Sequence, residues 1–322
     1  MLDPFWDSKP YVTAEEIRRF NDVTVPLLRL EKRVFIKDEI LVAEFVVAHY
    51  SPIPFTHITP SWKLMNSNLD VLTEGTLATS DIPIGNGKNL GTINLELDHI
   101  NDPIQLTLEV SVAGEANSWD IWVYPANNDP IDSEYDFLLV DKLTSPTIEY
   151  LENVAIVLLI ISKVEVNPVK GGDIGVGFSS IFWNTSWTKG QKPHTLGILC
   201  DPKHPALAQF PTEYHSNWQW WDAMSHSNAI VLDEFTPDLD PIVRIIDDWF
   251  ENRRTALIFE VNVGEGKLLI SGIDLHTDLE NRPEARQLRH SLKRYVGSDR
   301  FTPEVNLTSQ QVVGLFNSSM NY

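Results

Sequence analysis

One cysteine, nine histidines and a dense run of tryptophans are the side chains of this sequence with the most chemical potential. Five of the ten tryptophans fall between Trp183 and Trp221. Trp183 and Trp187 lie in FWNTSW; Trp218, Trp220 and Trp221 lie in HSNWQWWD, which opens on His215. An indole has two flat apolar faces and one N–H donor, so it can stack on the C–H side of a sugar while donating a hydrogen bond. His215 and these five tryptophans therefore form a candidate carbohydrate-binding set. The competing reading is packing, with the rings plugging a seam between domains.

Cys200 closes the run Gly197-Ile198-Leu199-Cys200, and the end of a strand is where α/β enzymes often place a nucleophile. A strand-to-helix elbow needs small flanking residues, which are missing here, and Asp201 raises a neighbouring thiol pKa. His204 is near in sequence and His194, His215, His226 and His276 are scattered, so a Cys–His pair stays open as an alternative. Glycoside hydrolysis needs two carboxylates roughly 5–10 Å apart. Glu213, Asp222, Asp233, Glu234 and Glu260 are available, but none sits in a pattern distinct from a solvated or capping carboxylate. No catalytic residue is assigned on this basis.

Neither H-x-x-x-H nor H-E-x-x-H occurs, so no metal site is expected. The run from Gly171 to Gly177 matches neither G-x-G-x-x-G nor a P-loop, and Asp173 would repel a phosphate. A loop that needs unusual backbone angles is the expectation there, and no cofactor is implied.

The elements that must position these residues fall into two patterns. In the first half, Ile93, Leu95 and Leu97 alternate with polar residues, as do Ile104 to Val112 and Trp119, Ile121 and Val123. Further strands fit Arg33–Ile36, Ile40–His49, Ser61–Met65 and Leu69–Leu77. Short strands at this spacing predict an immunoglobulin-like β-sandwich over residues 26–125, without the Cys–Trp–Cys signature. PANNDP, Pro125 to Pro130, marks a boundary.

Beyond it, apolar runs alternate with helical stretches. Strands are predicted at Phe137–Val140, Val154–Ile161, Thr195–Leu199, Ala229–Leu232, Ala256–Val261 and Lys267–Ile273. Helices are predicted at Thr144–Glu152, Ile242–Asn252 and Pro283–Val296, the second from Ile242, Ile245, Ile246 and Trp249 at helical spacing. This predicts a doubly wound α/β domain with a mostly parallel sheet over residues 130–300. Residues 301–322 read as a polar, peripheral tail.

The formal charge of −20 repels phosphate backbones and anionic lipid, so nucleic acid and membrane surfaces are not expected partners. A single cysteine excludes an internal disulfide. The start of the chain has neither the basic nor the apolar region of a signal peptide, and localisation is left open. Asn184, Asn306 and Asn317 open Asn-x-Ser/Thr triplets, which arise often by chance.

Three stretches carry a resemblance. LDPFWDSKPYVTAEEIRRF with VPLLRLEKRVF resembles the segment that follows the catalytic (β/α)8 barrel of glycoside hydrolase family 2, the family of β-galactosidases. PHTLGILCDPKHPALAQFPTEYHSNWQWWD and DDWFENRRTALIFEVNVGEGKLLISGIDL resemble the C-terminal, glutamine-amidotransferase-like domain of certain bacterial members, which has a flavodoxin-like fold. The resemblance implies a post-barrel linker over residues 1–25 and a non-catalytic accessory role in carbohydrate degradation. The chain would brace the barrel or shape one wall of its substrate site.

The family's catalytic glutamates lie on barrel strands, which this sequence does not contain, so the chain resembles a fragment or a split subunit. By position, Trp6 and Lys9 would approach the parent active site. The implied partners are the barrel, in cis or in trans, a saccharide and further copies of the chain. Members of the family are commonly exported. A free-standing carbohydrate-binding module and a degenerate amidotransferase-like hydrolase using Cys200 are the alternatives.

Overall fold

The computed structural model describes residues 3–7, 9, 12–125, 136–153, 155–162, 165–178 and 192–316. The chain divides into two compact units, Met1–Ala126 and Asn127–Tyr322.

The first unit opens with a short helix α1 (Ala14–Arg18), capped by Thr13 and Glu16. Ten strands follow: β1 (Thr24–Leu30), β2 (Val34–Ile36), β3 (Ile40–His49), β4 (Phe55–Ile58), β5 (Ser61–Asn66), β6 (Val71–Thr76), β7 (Ser80–Ile82), β8 (Gly85–Glu96), β9 (Ile104–Val112) and β10 (Glu115–Tyr124). They form a β-sandwich of a three-stranded sheet, β1–β3–β8, and a five-stranded sheet, β2–β10–β9–β5–β6, with β4 and β7 paired separately. Alternation decides which side chains meet. Leu106, Leu108, Val110 and Val112 of β9 turn inward onto Leu41, Phe45 and Ile93, while Gln105, Thr107, Glu109 and Ser111 turn outward.

The second unit contains β11 (Leu138–Val140), α2 (Ser145–Glu152), β12 (Ile156–Ile160), β13 (Thr195–Cys200), α3 (Trp220–Ser225), β14 (Ile230–Val231), β15 (Val243–Asp247), β16 (Thr255–Val263), β17 (Gly266–Ser271), α4 (Pro283–Val296), β18 (Asn306–Leu307) and α5 (Ser309–Val313). Its sheet runs β11–β12–β17–β16–β15–β13, with β14 and β18 also pairing to β16. Strands β11, β12 and β17 are parallel to one another. Strands β17, β16, β15 and β13 alternate in direction, so the sheet is mixed rather than mostly parallel. The cause is connection length: Val263 pairs with Gly266 across a two-residue turn, far short of the dozen or more residues a parallel crossover needs.

Two further expectations need correction. The predicted helix at Ile242–Asn252 is strand β15 followed by a turn. Val243, Ile245 and Asp247 point inward while Arg244 and Ile246 point out, a period of two; of the four residues at helical spacing, Ile242 and Ile245 are buried but Ile246 and Trp249 are exposed. β-Branched residues favour that choice. Asp248 Oδ1 then accepts from Phe250 N–H at 2.8 Å and Glu251 N–H at 2.9 Å, stopping the strand. The tail is not peripheral either: Leu307, Val312 and Leu315 are buried in the second unit's core with Leu159, Phe259 and Ile270. Helices α2 and α4 lie where the sequence places them.

Strand direction fixes the geography of the unit. Strands β12 and β17 end at one edge of the sheet. Because β13 runs opposite to both, its first residues lie at that edge and Cys200 lies at the other.

Candidate functional site

The edge where parallel strands end is where α/β sheets commonly hold ligands. Here it is closed by polar side chains bonded to backbone. Asn228 Nδ2 donates to Ser162 O at 3.1 Å, and Asn228 N–H donates to Gly272 O at 2.7 Å. His276 Nε2 sits 2.9 Å from Ile160 O. Asp274 Oδ1 accepts from the N–H groups of His276 and Thr277, each at 3.0 Å. Burial opposes the Asp274 charge, but those two N–H groups and the Arg282 guanidinium outweigh it and hold the carboxyl below its ordinary pKa.

Helix α3 lies beside this edge. Its first turn is clamped by Arg282, 7% exposed, whose Nε lies 2.9 Å from both oxygens of Asp222. Arg282 Nη2 is 2.8 Å from Asp222 Oδ2, a charge contact rather than an aligned hydrogen bond, and Nη1 donates to Thr277 O at 2.9 Å. His226 Nδ1 approaches the same carboxylate at 3.2 Å. The clamp fixes the residue next to Trp221.

The three clustered tryptophans divide by role. Trp220 is fully buried, edge-on to Phe210 at 5.0 Å, and its Nε1 donates to Thr212 Oγ1 at 2.8 Å. It is a core residue. Trp218 and Trp221 are 53% and 54% exposed and both pack on Phe178, with ring centroids 5.5 and 5.4 Å away. Beside Trp221 opens a pocket of about 600 Å³, floored by Met224 and walled by Asn228 and the glycine-rich loop.

That loop explains itself by close approach more than by backbone angle. Gly171 does need a left-handed φ of 119°. At Gly177 the need is space: a Cβ would stand 2.2 Å from Thr195 O. Gly177 N–H donates to Thr195 Oγ1 and Gly175 N–H to His194 Nδ1, so the wall is bonded backbone lying flush against the start of β13.

Other sequence candidates lie elsewhere. Trp183 and Trp187 fall outside the described residues. His215 bridges to Leu199 on β13 and stacks edge-on with Tyr214 at 4.9 Å, apart from the tryptophan pair. Trp6, in the first unit, is 81% exposed on a turn held by Asp3, whose carboxylate accepts from Phe5 N–H and Asp7 N–H. Lys9 is part-buried nearby in sequence.

Cys200 has no nucleophile's setting. It is buried, its thiol donates to Glu213 O at 3.3 Å, and burial, with a contribution from Asp201, pushes its pKa up to about 12. His204 is used as a cap, its Nδ1 accepting from Ala206 N–H at 3.2 Å. The carboxylates are dispersed in ordinary roles: Glu213 accepts from Asn217, Asp233 from Arg254 N–H, and Glu234 pairs with Lys170. Glu260 accepts from Tyr295 Oη at 2.8 Å, and burial raises its pKa. No cluster that could hold a metal ion occurs among the described residues.

Phe178, Lys192, Asn228 and Arg282 belong to the site and were not singled out from the sequence. None lies in a recognisable motif; only the fold brings them to α3.

Comparison with solved structures gives weak, partial likenesses. The alkylpurine DNA glycosylase AlkC of Pseudomonas fluorescens, bound to DNA with an abasic-site analogue, is 13% identical with a TM-score of 0.26, over 32% of this chain and 30% of that one. The CARDB domain of the PF1109 protein from Pyrococcus furiosus is 12% identical with a TM-score of 0.25, over 32% of this chain and 93% of that one. A β-glucosidase from Listeria innocua in complex with glucose is 12% identical with a TM-score of 0.24, over 31% of this chain and 16% of that one. Scores this low carry no argument about fold or function. No curated protein sequence matches the chain.

Two family models do match. One, described as a domain of unknown function (DUF8488), covers residues 39–125, most of the sandwich. The other covers residues 138–317, more than half of the chain and nearly all of the second unit, including the pocket and α3. The chain therefore belongs to the family described as domain of unknown function DUF8487.

Proposed function

We propose that this chain is a non-catalytic accessory region of a carbohydrate-degrading enzyme, the C-terminal part of a family 2-like glycoside hydrolase, and that its second unit contacts saccharide. The observation that carries the saccharide contact is the pair Trp218 and Trp221. Trp220, one position from Trp221, shows how this fold buries an indole and satisfies its N–H. Trp218 and Trp221 are instead about half exposed on a common Phe178 support, and Trp221 lines a pocket. Rings fixed in that way suit the flat C–H faces of pyranose rings.

The accessory role rests on the resemblance of the post-barrel motif, and the exposure of Trp6 is compatible with a contact to a barrel in cis or in trans. The burial of Cys200 supports the non-catalytic part of the reading, against the amidotransferase-like alternative. The parallel β11–β12–β17 block supports a divergent amidotransferase-like, flavodoxin-type origin for the second unit.

Titration of the chain with a panel of neutral and acidic oligosaccharides, followed by tryptophan fluorescence, tests the saccharide contact. At least one oligosaccharide should change the signal, and Trp221→Ala should weaken its binding about tenfold. A silent panel would refute the contact. Turnover of an aryl glycoside by the purified chain would refute the non-catalytic reading.

A further inference from the structure

We propose that the pocket beside Trp221 selects saccharides bearing a negative charge, a carboxylate or a sulfate ester, through Lys192. The inference rests on the saccharide reading above and adds the charge class of the ligand.

The first observation is composition. The chain has 45 acidic and 25 basic residues, so a pocket lined without selection would show more acid than base. Among the described residues that line this one there is no carboxylate, and Lys192 is the one charged side chain. The rest of the wall is backbone of Gly172, Gly175 and Gly177, apolar side chains, and the neutral Ser225, Ser227 and Asn228.

The second observation is that the ammonium is unspent. Most cations near this edge are paired: Arg282 with Asp222, Arg253 with Asp247, Lys170 with Glu234. Among the described residues, no hydrogen bond or ion pair joins Lys192 to any partner.

The third is that its stem is supported. At Gly175 an added Cβ would come within 2.9–3.0 Å of Lys192 Cβ, Cγ and Cδ. The absent side chain lets the lysine lie flat on the loop, which restricts its head to the neighbourhood of the pocket. With the Trp221 ring at the same pocket, a sugar stacked on the indole has a fixed cation within the same walls for an anionic substituent. The volume of about 600 Å³ lies inside the range of about 300–1,000 Å³ usual for small-ligand sites.

The test uses the full chain, isothermal titration calorimetry and three probes: tetragalacturonate, its fully methyl-esterified form, and a sulfated carrageenan tetrasaccharide. At low salt, at least one acidic probe should bind on the order of fivefold tighter than the neutral ester, as expected for one exposed ion pair. The preference should shrink as salt is added. Lys192→Met, which keeps the apolar stem, should erase the preference, so that acidic and esterified probes bind alike. Tighter binding of tetragalacturonate assigns the anion as carboxylate; tighter binding of the carrageenan probe assigns it as sulfate ester. Equal binding of all three by the wild type, or a preference that survives in Lys192→Met, overturns this inference alone if Trp221→Ala still weakens binding about tenfold. Failure of every probe to bind overturns it together with the saccharide reading.

Discussion

The clamp between Arg282 and Asp222 should be the most sensitive point near the pocket. The Asp222 side chain is 17% exposed in the intact pair, and replacing Arg282 by alanine removes its guanidinium partner. Breaking a buried pair by removing one member costs about 3–5 kcal/mol, because the remaining charge is stranded in a poorly solvated place. Asp222 keeps some solvent and has His226 Nδ1 at 3.2 Å, so the low end, about 3 kcal/mol, is the appropriate figure. The Thr277 carbonyl loses its donor as well. Since the chain has two units, a single unfolding midpoint would mix two transitions. Hydrogen exchange read on the amides of β12 and β17 reports on the second unit alone. Those amides should exchange about 100-fold faster in Arg282→Ala, the factor that corresponds to about 3 kcal/mol. Adding Asp222→Asn removes the stranded charge and should recover about tenfold of that loss. Less than a threefold change in the single variant, or strictly additive effects in the pair, would refute the clamp as the element that fixes α3.

Two further outcomes follow from buried groups. Cys200 should resist iodoacetamide in the folded chain near pH 8 and react fully once unfolded, because burial and Asp201 keep it a thiol; alkylation of the folded chain at the rate of a free cysteine would show that the sulfur is open. Glu260 gives a pH dependence. Burial raises its folded pKa above the unfolded value near 4.5, so its favourable contribution is full below that value and declines as pH rises toward the folded one. Glu260→Gln keeps an acceptor for Tyr295 and cannot ionise. Its stability relative to wild type should therefore rise as pH is raised above about 4.5, as followed by thermal unfolding, and a difference that stays constant with pH would count against the assignment.

Much of the fold was legible because period-two alternation over nine residues, as in β9, leaves a single face to bury. Strand β1 was missed: TVPLLRL carries Pro26 and adjacent leucines, and its pairing with β3 supplies what its own pattern does not. Strand β15 reads as a helix because Ile242, Ile245, Ile246 and Trp249 fall at helical spacing, whereas pairing with β13 and β16 makes Val243–Asp247 a strand. The mixed sheet was within reach, since the short gap before Lys267 forbids a crossover. The site was half legible. Tryptophan density singled out the segment that forms α3, but burial alone separates Trp220 from its neighbours, and Lys192 and Arg282 reach the pocket and α3 only through folding.

The glycine-rich loop bears most directly on the ligand, because it divides two pockets of unlike character. On its other side lies a pocket of about 470 Å³ with Asp173, Asp233 and Glu234 on its wall, sharing Ile174 with the first. Its cations are spoken for: Lys170 by Glu234, and Arg253 by Asp247, through Nε at 2.7 Å and Nη2 at 3.0 Å. An anion there would meet carboxylates and neutralised bases. In the pocket beside Trp221 it would meet, among the described residues, one unpaired ammonium, uncharged backbone and an indole. Substituting the loop glycines would not merely strain it. A Cβ at Gly175 would displace the lysine stem and one at Gly177 would push the wall off Thr195, so the same absence of side chains sets both the shape of the pocket and the position of its charge.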